Sequence, residues 1–249
     1  MNPANLDLLI VDPQPVARAG LCTILGGLVR GGRIRESHTA AVAWSLIGEG
    51  RPQLIVTEIN LNGPSGLDFI KDLLVRLPEV PVIVFSSSPE LWFAERVLRA
   101  GGRGYVMKSA APSVLEEAVR SVLAGGVFVS GVVSESILRR MRPGVATVTE
   151  PTSVLSDREL EVFLLIGEGV CTAAIARLLR VSVSTVETYR GAIKRKLDLA
   201  NSSELMRAAV ACVFAKNEVR PAGTPLRSRE GGSWEAGFAK HAVPDFLQI

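Results

Sequence analysis

A cluster of cationic side chains between residues 177 and 196 is the part of the sequence whose residue types most directly indicate chemistry. Against one acid, Glu187, the cluster contains Arg177, Arg180, Arg190, Lys194, Arg195 and Lys196. Guanidinium and ammonium groups at this density bind phosphates, and counterion release supplies most of the nonspecific affinity. The cluster therefore predicts a nucleic-acid-binding surface. A solvated cationic helix face is the alternative interpretation.

The spacing of apolar residues over 182–197 predicts a helix with two different faces. Val186, Tyr189, Ile193 and Leu197 follow one another at intervals of 3, 4 and 4 residues and so share a core-facing stripe. The opposite face then carries Ser184, Glu187, Thr188, Gly191 and Arg195. Such a helix enters a major groove, with small polar side chains near base edges and C-terminal cations on phosphates.

The sequence assigns different roles to the side chains of this helix. Ser184 and Thr188 are expected to contact bases. Glu187 either accepts a hydrogen bond from a cytosine amino group or stabilises the first turns through the helix dipole. The predicted DNA-binding set is Ser184, Thr185, Glu187, Thr188, Arg190, Lys194, Arg195 and Lys196.

The elements around this helix predict a helix-turn-helix arrangement. Ser156 and Glu159 have the spacing of a capping box, so a helix is expected near 157–168, ended by Gly169. Further helical patterns cover 172–179, 182–197 and 202–216. Short helices with joints of a few residues and no intervening strand are typical of a helix-turn-helix domain.

Residues 155–199 resemble the LuxR-type helix-turn-helix. The matching positions are Glu159, Gly169, Ile175, Ala176, Ser182, Thr185, Val186, Lys196 and Leu197. The resemblance implies a four-helix DNA-binding domain that works as a dimer on paired half-sites. Tyr189 stands where the family usually has a histidine, so the base preference is not carried over from the family.

In the first half of the chain, short apolar runs alternate with longer segments of helical period. The predicted strands are 7–11, 33–38, 52–59, 80–86 and 104–107, and the predicted helices are 16–30, 40–50, 65–77, 91–102 and 112–126. This alternation predicts an α/β fold, a doubly wound five-stranded parallel sheet, followed by the all-α four-helix domain. Ligands of such sheets bind beyond the carboxyl ends of the strands.

With that partner domain, residues 1–125 resemble the receiver domain of a NarL/FixJ-class response regulator. The resemblance implies a pocket in which two acidic residues after the first strand and an aspartate ending the third hold magnesium. That aspartate accepts a phosphoryl group from a kinase. Here VDPQP keeps Asp12 but has Pro13 at the second acidic position, and VTEINLNGPSG places Glu58 at the phosphoacceptor position. The resemblance therefore predicts an atypical receiver.

The resemblance also assigns three downstream residues. Ser86 matches the hydroxyl residue that ends the fourth strand, Lys108 the lysine that ends the fifth, and Tyr105 the aromatic switch position. Asp12, Glu58, Ser86 and Lys108 are thus expected to form one pocket, with Lys108 paired to one or both carboxylates. No catalytic residue and no metal ligand is predicted.

Three interpretations of Glu58 are open. Its carboxylate lies about one methylene farther out than that of aspartate, so it reaches Lys108 and Ser86 and holds an active-like state without phosphate. The mimicry is imperfect, because a phosphoryl group brings a charge of about −1.5 to −2 and three oxygens. Alternatively, the pocket is inert and the domain is a fixed dimerisation module. Retained phosphorylation, at Glu58 or elsewhere, is the third interpretation, against which Pro13 argues.

These features predict a sequence-specific, phosphorylation-independent transcriptional regulator. The expected partners are double-stranded DNA and a second copy of the chain, with no cofactor and no membrane. One alternative is a receiver controlled by a protein or small ligand that docks on the 91–126 face or on the tail. A second is a receiver that still transfers a phosphoryl group from a small donor.

Composition limits where the DNA-binding surface can lie. The 249 residues carry a net charge of only +3, far below that of a histone-like polycation. Residues 1–125 contain 12 acidic and 12 basic side chains, so the positive charge is local. We expect a receiver-like domain at 1–126, a linker at 127–154 that contains a short helix at 134–141, the helix-turn-helix domain at 155–216, and a flexible tail at 217–249.

The sequence also indicates a compartment. The first apolar stretch has no cationic segment before it and contains Asp7 and Asp12, so no signal peptide is predicted. No apolar run approaches the roughly 18 residues of a membrane-spanning helix. Cys22, Cys171 and Cys212 are scattered, which predicts buried free thiols in a reducing compartment. We therefore expect a cytoplasmic protein.

Overall fold

A computed structural model of the chain describes residues 6–29, 31–61, 66–141 and 154–217. Its first half contains the strands β1 (Asp7–Val11), β2 (Arg33–Ser37), β3 (Leu54–Thr57), β4 (Val82–Ser86) and β5 (Gly104–Met107). All neighbouring strands are parallel, in the order β2-β1-β3-β4-β5. The predicted five-stranded parallel sheet is confirmed.

Five helices connect and cover the strands, as the alternating pattern predicts. They are α1 (Pro15–Gly26), α2 (Ala40–Glu49), α3 (Gly66–Arg76), α4 (Glu90–Arg99) and α5 (Pro112–Leu123). Alternate residues of β1 point to opposite faces: Leu8 and Ile10 pack with α1 and α5, whereas Leu9 and Val11 pack with α2, α3 and α4. The sheet is therefore buried on both faces, and its polar groups are concentrated at the strand ends.

A helix interrupts the segment predicted as a linker. Helix α6 (Gly131–Met141) begins three residues earlier than the predicted short helix and packs against α4. The Ser130 hydroxyl donates to Glu90 Oε1 at 2.7 Å, which joins the start of α6 to the start of α4. Residues 142–153 and 218–249 lie outside the described residues, so the predicted linker boundaries and flexible tail stay predictions.

The second half contains the four predicted helices, α7 (Asp157–Gly167), α8 (Thr172–Leu179), α9 (Val183–Lys196) and α10 (Ser202–Asn217). The capping box is present, because Ser156 Oγ accepts from the Glu159 backbone N–H and the Glu159 carboxylate accepts from that of Ser156. Gly169 follows α7 with a φ of 81°, a left-handed conformation that glycine adopts without strain. Helices α9 and α10 pack on α7.

Two expectations from composition concern the cysteines and the membrane. The prediction of buried thiols is wrong, since Cys171 is exposed and Cys22 and Cys212 are partly exposed, although none of these three cysteines forms a disulfide. Cys171 immediately precedes α8 at a turn, where the chain runs over the surface. Among the described residues, no helix has the length and apolar character needed to cross a membrane.

Candidate functional site

Side chains from four strand ends meet at the carboxyl edge of the sheet. Asp12 follows β1, Glu58 follows β3, Ser86 ends β4 and Lys108 follows β5. These strands are adjacent in that order, which brings the four side chains together. Asp12, Glu58 and Ser86 are only 1%, 5% and 0% exposed. The structure therefore brings these four side chains together at one edge of the sheet.

The Lys108 ammonium lies among three oxygen atoms. Its Nζ is 2.7 Å from Asp12 Oδ2 and 2.8 Å from Glu58 Oε2, and it donates to Gln14 Oε1 at 3.3 Å. The first two contacts are ion pairs and the third is a hydrogen bond. One largely buried cation thus pairs with both carboxylates of the pocket.

The Glu58 carboxylate is satisfied on both oxygens. Oε1 accepts the Ser86 hydroxyl at 2.5 Å and the backbone N–H groups of Ile59 at 2.7 Å and Asn60 at 3.1 Å. Oε2 is the oxygen that pairs with Lys108. Because a buried carboxylate without partners is costly, these contacts hold the side chain in one orientation, folded over the loop after β3.

The charges of the pocket are unequal, with two carboxylates around one ammonium. Burial raises the pKa of Asp12, which Lys108 and the Gln14 backbone N–H oppose. Burial alone would lower the pKa of Lys108, but the negative charges of Glu58 and Asp12 raise it above its ordinary value. The ammonium therefore stays charged at neutral pH. The ionised form of Asp12 is less favourable here than in water.

Ser88 ties the loop after β4 to the pocket. Its backbone N–H donates to Ser86 Oγ at 3.0 Å, and its hydroxyl accepts from Asn60 Nδ2 at 2.9 Å. The Tyr105 hydroxyl donates to the Ser88 carbonyl at 2.7 Å. Tyr105 is 1% exposed, and burial raises its pKa. The side chain at the predicted switch position is held inside the domain.

Helix α9 has the two faces that its sequence predicts. Val186 and Ile193 are fully buried, and Tyr189 and Leu197 are partly buried beside the same core. The opposite face is exposed and carries Ser184, Glu187, Thr188, Gly191 and Arg195. An uncovered face of this polarity is the geometry that major-groove contact needs.

Hydroxyl groups at the start of α9 bond to one another. Ser182 Oγ accepts the Thr185 backbone N–H at 3.0 Å and lies 2.7 Å from the hydroxyls of Ser184 and Thr185. The Thr188 hydroxyl donates to the Ser184 carbonyl at 3.0 Å. Thr185 therefore supports the helix cap, whereas Ser184 and Thr188 are exposed and retain acceptor capacity.

The charged residues of the predicted DNA-binding set differ in their surroundings. The Arg190 side chain is 15% exposed, with Nε 3.5 Å from Glu187 Oε2, and the Lys196 ammonium is 2.7 Å from Glu159 Oε2. Thr172 Oγ1 donates to Glu187 Oε1 at 3.2 Å. Both interpretations of Glu187 are compatible with this bond, because its side chain is still 58% exposed.

The sequence matches two known protein families. Residues 8–120 match the response regulator receiver domain, and residues 153–209 match the bacterial regulatory proteins of the luxR family. Transcriptional activator protein ExaE of Pseudomonas putida is 35% identical over 205 residues, which cover 82% of this chain and 96% of that protein. The chain belongs to the response regulators with a LuxR-type DNA-binding domain, and so to the transcription regulators of two-component systems.

Two further comparisons also extend over most of the chain. Oxygen regulatory protein NreC of Staphylococcus haemolyticus strain JCSC1435 is 29% identical over 211 residues, covering 82% of this chain and 97% of that protein. A solved structure of RcsB from Salmonella enterica serovar Typhimurium, bound to promoter rprA in the presence of phosphomimetic BeF3-, aligns with a TM-score of 0.58 and 21% identity. It covers 83% of this chain and 100% of that one. This likeness supports the fold.

The pocket does not fit the magnesium ion that the receiver family implies. The Lys108 ammonium lies within 2.8 Å of one oxygen from each of Asp12 and Glu58, where it repels a second cation. Pro13 offers no side-chain oxygen, and a hard divalent ion needs several. In the described ranges, no three His, Cys, Asp or Glu side chains are grouped so as to hold a metal.

Several contacts of the pocket have no signal in the sequence. The Ile59 and Asn60 donors are backbone groups, which every residue except proline possesses. Gln14 lies two residues after Asp12 in the VDPQP segment, and no pattern in the sequence assigned it to the pocket. The contacts of Ser88 depend on the conformation of the loop after β4, and the types of the side chains in that loop do not determine its conformation.

Proposed function

We propose that this chain is a sequence-specific DNA-binding transcription regulator whose receiver works without phosphorylation. The observation that carries the proposal is the state of Glu58. A carboxylate that attacks a phosphoryl donor needs an accessible oxygen and a nearby divalent ion. Both Glu58 oxygens are engaged, the residue is 5% exposed, and an ammonium lies between the two carboxylates.

The contacts of Glu58 favour mimicry over an inert pocket. The side chain joins the end of β3 to Ser86 at the end of β4 and to Lys108 after β5. These are the hydroxyl and ammonium that, by the receiver resemblance, would otherwise meet a phosphoryl oxygen. Glu58 supplies these contacts with one charge and two oxygens. Through Ser86 they reach Ser88 in the loop after β4, which in turn accepts a hydrogen bond from the buried Tyr105.

The DNA-binding role rests on the exposed face of α9 together with the family. Ser184 and Thr188 approach base edges, and Lys194 and Arg195 neutralise phosphates at the other end of the helix. A homodimer places two copies of α9 on paired half-sites, in the cytoplasm where its DNA target lies. RcsB, which shares the fold, is described as bound to a promoter.

Phosphoryl transfer tests the proposal directly. The full chain is incubated with acetyl phosphate and magnesium, and its intact mass and its affinity for a duplex selected from a random pool are measured. We expect unchanged mass and unchanged affinity. Pro13→Asp/Glu58→Asp, which restores the two missing acids, is the positive control and should gain the mass of one phosphoryl group. Modification of the natural chain accompanied by tighter DNA binding would overturn the proposal.

The same titration separates the proposal from control by a protein or small-ligand partner. A phosphorylation-independent regulator binds its selected duplex as a purified chain with no addition. A chain that binds DNA only after a cell extract or ligand pool is added belongs to the partner-controlled alternative. If the purified chain keeps its mass and binds no DNA, the proposal that it binds DNA without any addition is contradicted.

A further inference from the structure

A carboxylate at the start of the DNA-binding domain binds two cations of the receiver. Asp157, the first residue of α7, lies with Oδ2 2.8 Å from Lys71 Nζ of α3 and Oδ1 2.7 Å from Arg96 of α4. Its side chain is 15% exposed. The partners are 86 and 61 residues away in sequence, so the contact joins the two domains.

Arg96 also binds the backbone just before α7. Its other terminal nitrogen donates to the Leu155 carbonyl at 3.0 Å, so one guanidinium binds both the backbone and the side chain at the start of α7. Trp92, one turn earlier on α4, is 6% exposed and belongs to the same apolar cluster as the buried Leu155. We call the contacts of Asp157 with Lys71 and Arg96 the latch.

The environment of the latch keeps its charges paired. Burial alone would raise the pKa of Asp157, but hydrogen bonds from Lys71 and Arg96 hold it below its usual value. The bond to Asp157 also raises the pKa of Lys71. Removing the carboxylate therefore leaves two neighbouring cations without their common partner, which favours separation of the domains.

The latch leaves the DNA-facing side of α9 open. Ser184, Thr188 and Arg195 are exposed while the latch is closed. Asp157 is also adjacent to the Ser156 and Glu159 cap, and Glu159 binds Lys196 at the end of α9. The contact therefore sets the direction of the recognition helix relative to the receiver without covering it.

We propose that Asp157 determines which half-site spacing a receiver-joined dimer of this chain recognises. The inference rests on the proposed dimeric DNA binding. Two recognition helices held at one separation fit half-sites about one helical turn, 10–10.5 base pairs, or whole multiples apart. A domain released onto its linker samples many separations and tolerates many spacings.

The test measures DNA binding by the full chain across duplexes whose two selected half-sites are separated in steps of one base pair. The wild-type chain is expected to favour one spacing by about tenfold or more, and Asp157→Asn to reduce that preference below about threefold. Affinity for a single half-site stays unchanged. Arg96→Gln should act like Asp157→Asn.

Asp68→Asn is the matched control. Asp68 pairs with the same Lys71 at 4.0 Å, but within α3, and its side chain is 58% exposed. This variant removes an equal charge without touching the interdomain contact, so it should keep the wild-type spacing preference. The inference would be overturned if the Asp157→Asn variant kept the wild-type spacing preference. It would also be overturned if the wild-type chain bound a single half-site but showed no preference among spacings.

Small-angle scattering of the full chain without DNA gives a second measurement. The radius of gyration of Asp157→Asn should exceed that of the wild-type chain and of Asp68→Asn, because the domains separate. An unchanged radius of gyration would contradict the claim that the latch holds the two domains together. If the wild-type chain binds no DNA, the proposed function fails, whereas the scattering comparison still decides whether Asp157 joins the domains.

Discussion

Glu159 Oε2 accepts both the Ser156 backbone N–H at 2.6 Å and the Lys196 ammonium at 2.7 Å. One carboxylate therefore closes the capping box of α7 and also binds the last turn of α9, 37 residues later. Its side chain is 8% exposed, so little water competes for these bonds. The position of α9 therefore depends on a buried side chain of α7.

Glu159→Gln should destabilise the DNA-binding domain by about 1–2 kcal/mol at neutral pH, because the cap acceptor remains while the ion pair is lost. Burial alone would raise the pKa of Glu159, but Lys196 and Ser156 hold it below its ordinary value of 4.5. The stabilisation is thus present above that value and lost as pH falls through the lowered pKa. Urea unfolding at several pH values should show the two proteins converging in acid; a constant difference would contradict the ion pair.

Lys194→Ala and Lys196→Ala should differ although they remove the same charge from the same helix end. Lys194→Ala is expected to weaken binding to all duplexes alike and to reduce the slope of log affinity against log salt by about 1. Lys196→Ala should also lower the melting temperature, since Glu159 loses its partner. Anisotropy titrations at several salt concentrations and thermal unfolding distinguish the two; equal melting temperatures would contradict the assignment.

Thr188→Ala should change which duplexes are preferred more than how tightly duplexes bind overall. The hydroxyl is exposed and bonded only to its own helix in the structure described, so its loss leaves the fold intact while removing a contact to a base edge. Selection from a random duplex pool with each protein checks this. An identical selected sequence would show that Thr188 does not contact bases.

Glu58→Ala should destabilise the receiver by about 3 kcal/mol, because the Lys108 ammonium and Ser86 hydroxyl lose a buried partner. DNA affinity and dimerisation should fall with it. Glu58→Gln, which keeps an acceptor for Ser86, should lose less stability. Unfolding, analytical ultracentrifugation and DNA titration are compared for the three proteins. Unchanged dimerisation and affinity in the folded Ala variant would support the inert-module interpretation.

Asp12→Asn tests the excess negative charge of the pocket. The folded-state pKa of Asp12 is raised above 3.8, so its contribution to stability is fully present below that value and lost as pH rises through the raised pKa. The asparagine variant should therefore become more stable relative to the wild-type chain as pH rises across the acidic range. Lys108, Glu58 and the Gln14 backbone N–H are the groups that face Asp12. The opposite trend in urea unfolding would contradict this.

Periodicity explains why the elements were predictable. Apolar runs such as 8–11 and 54–56 are buried on both faces of a parallel sheet, so the length of each run predicts the length of its strand. In α9, the interval between Val186 and Ile193 places both on the core side. The cysteine prediction is wrong because composition describes an average tendency to be buried and does not place Cys171 at a helix start.

The sequence by itself determined the α/β domain followed by a helix-turn-helix pattern, the residues at the strand ends and the outward face of α9, because these follow from local period and order along the chain. The receiver assignment came from the resemblance to a known family. Only the tertiary structure decided that both Glu58 oxygens have partners, that Lys196 pairs with Glu159, and that Asp157 pairs with Lys71 and Arg96. Those partners are distant in sequence or are backbone groups. Their pairing depends on how whole elements pack, and no local pattern records that.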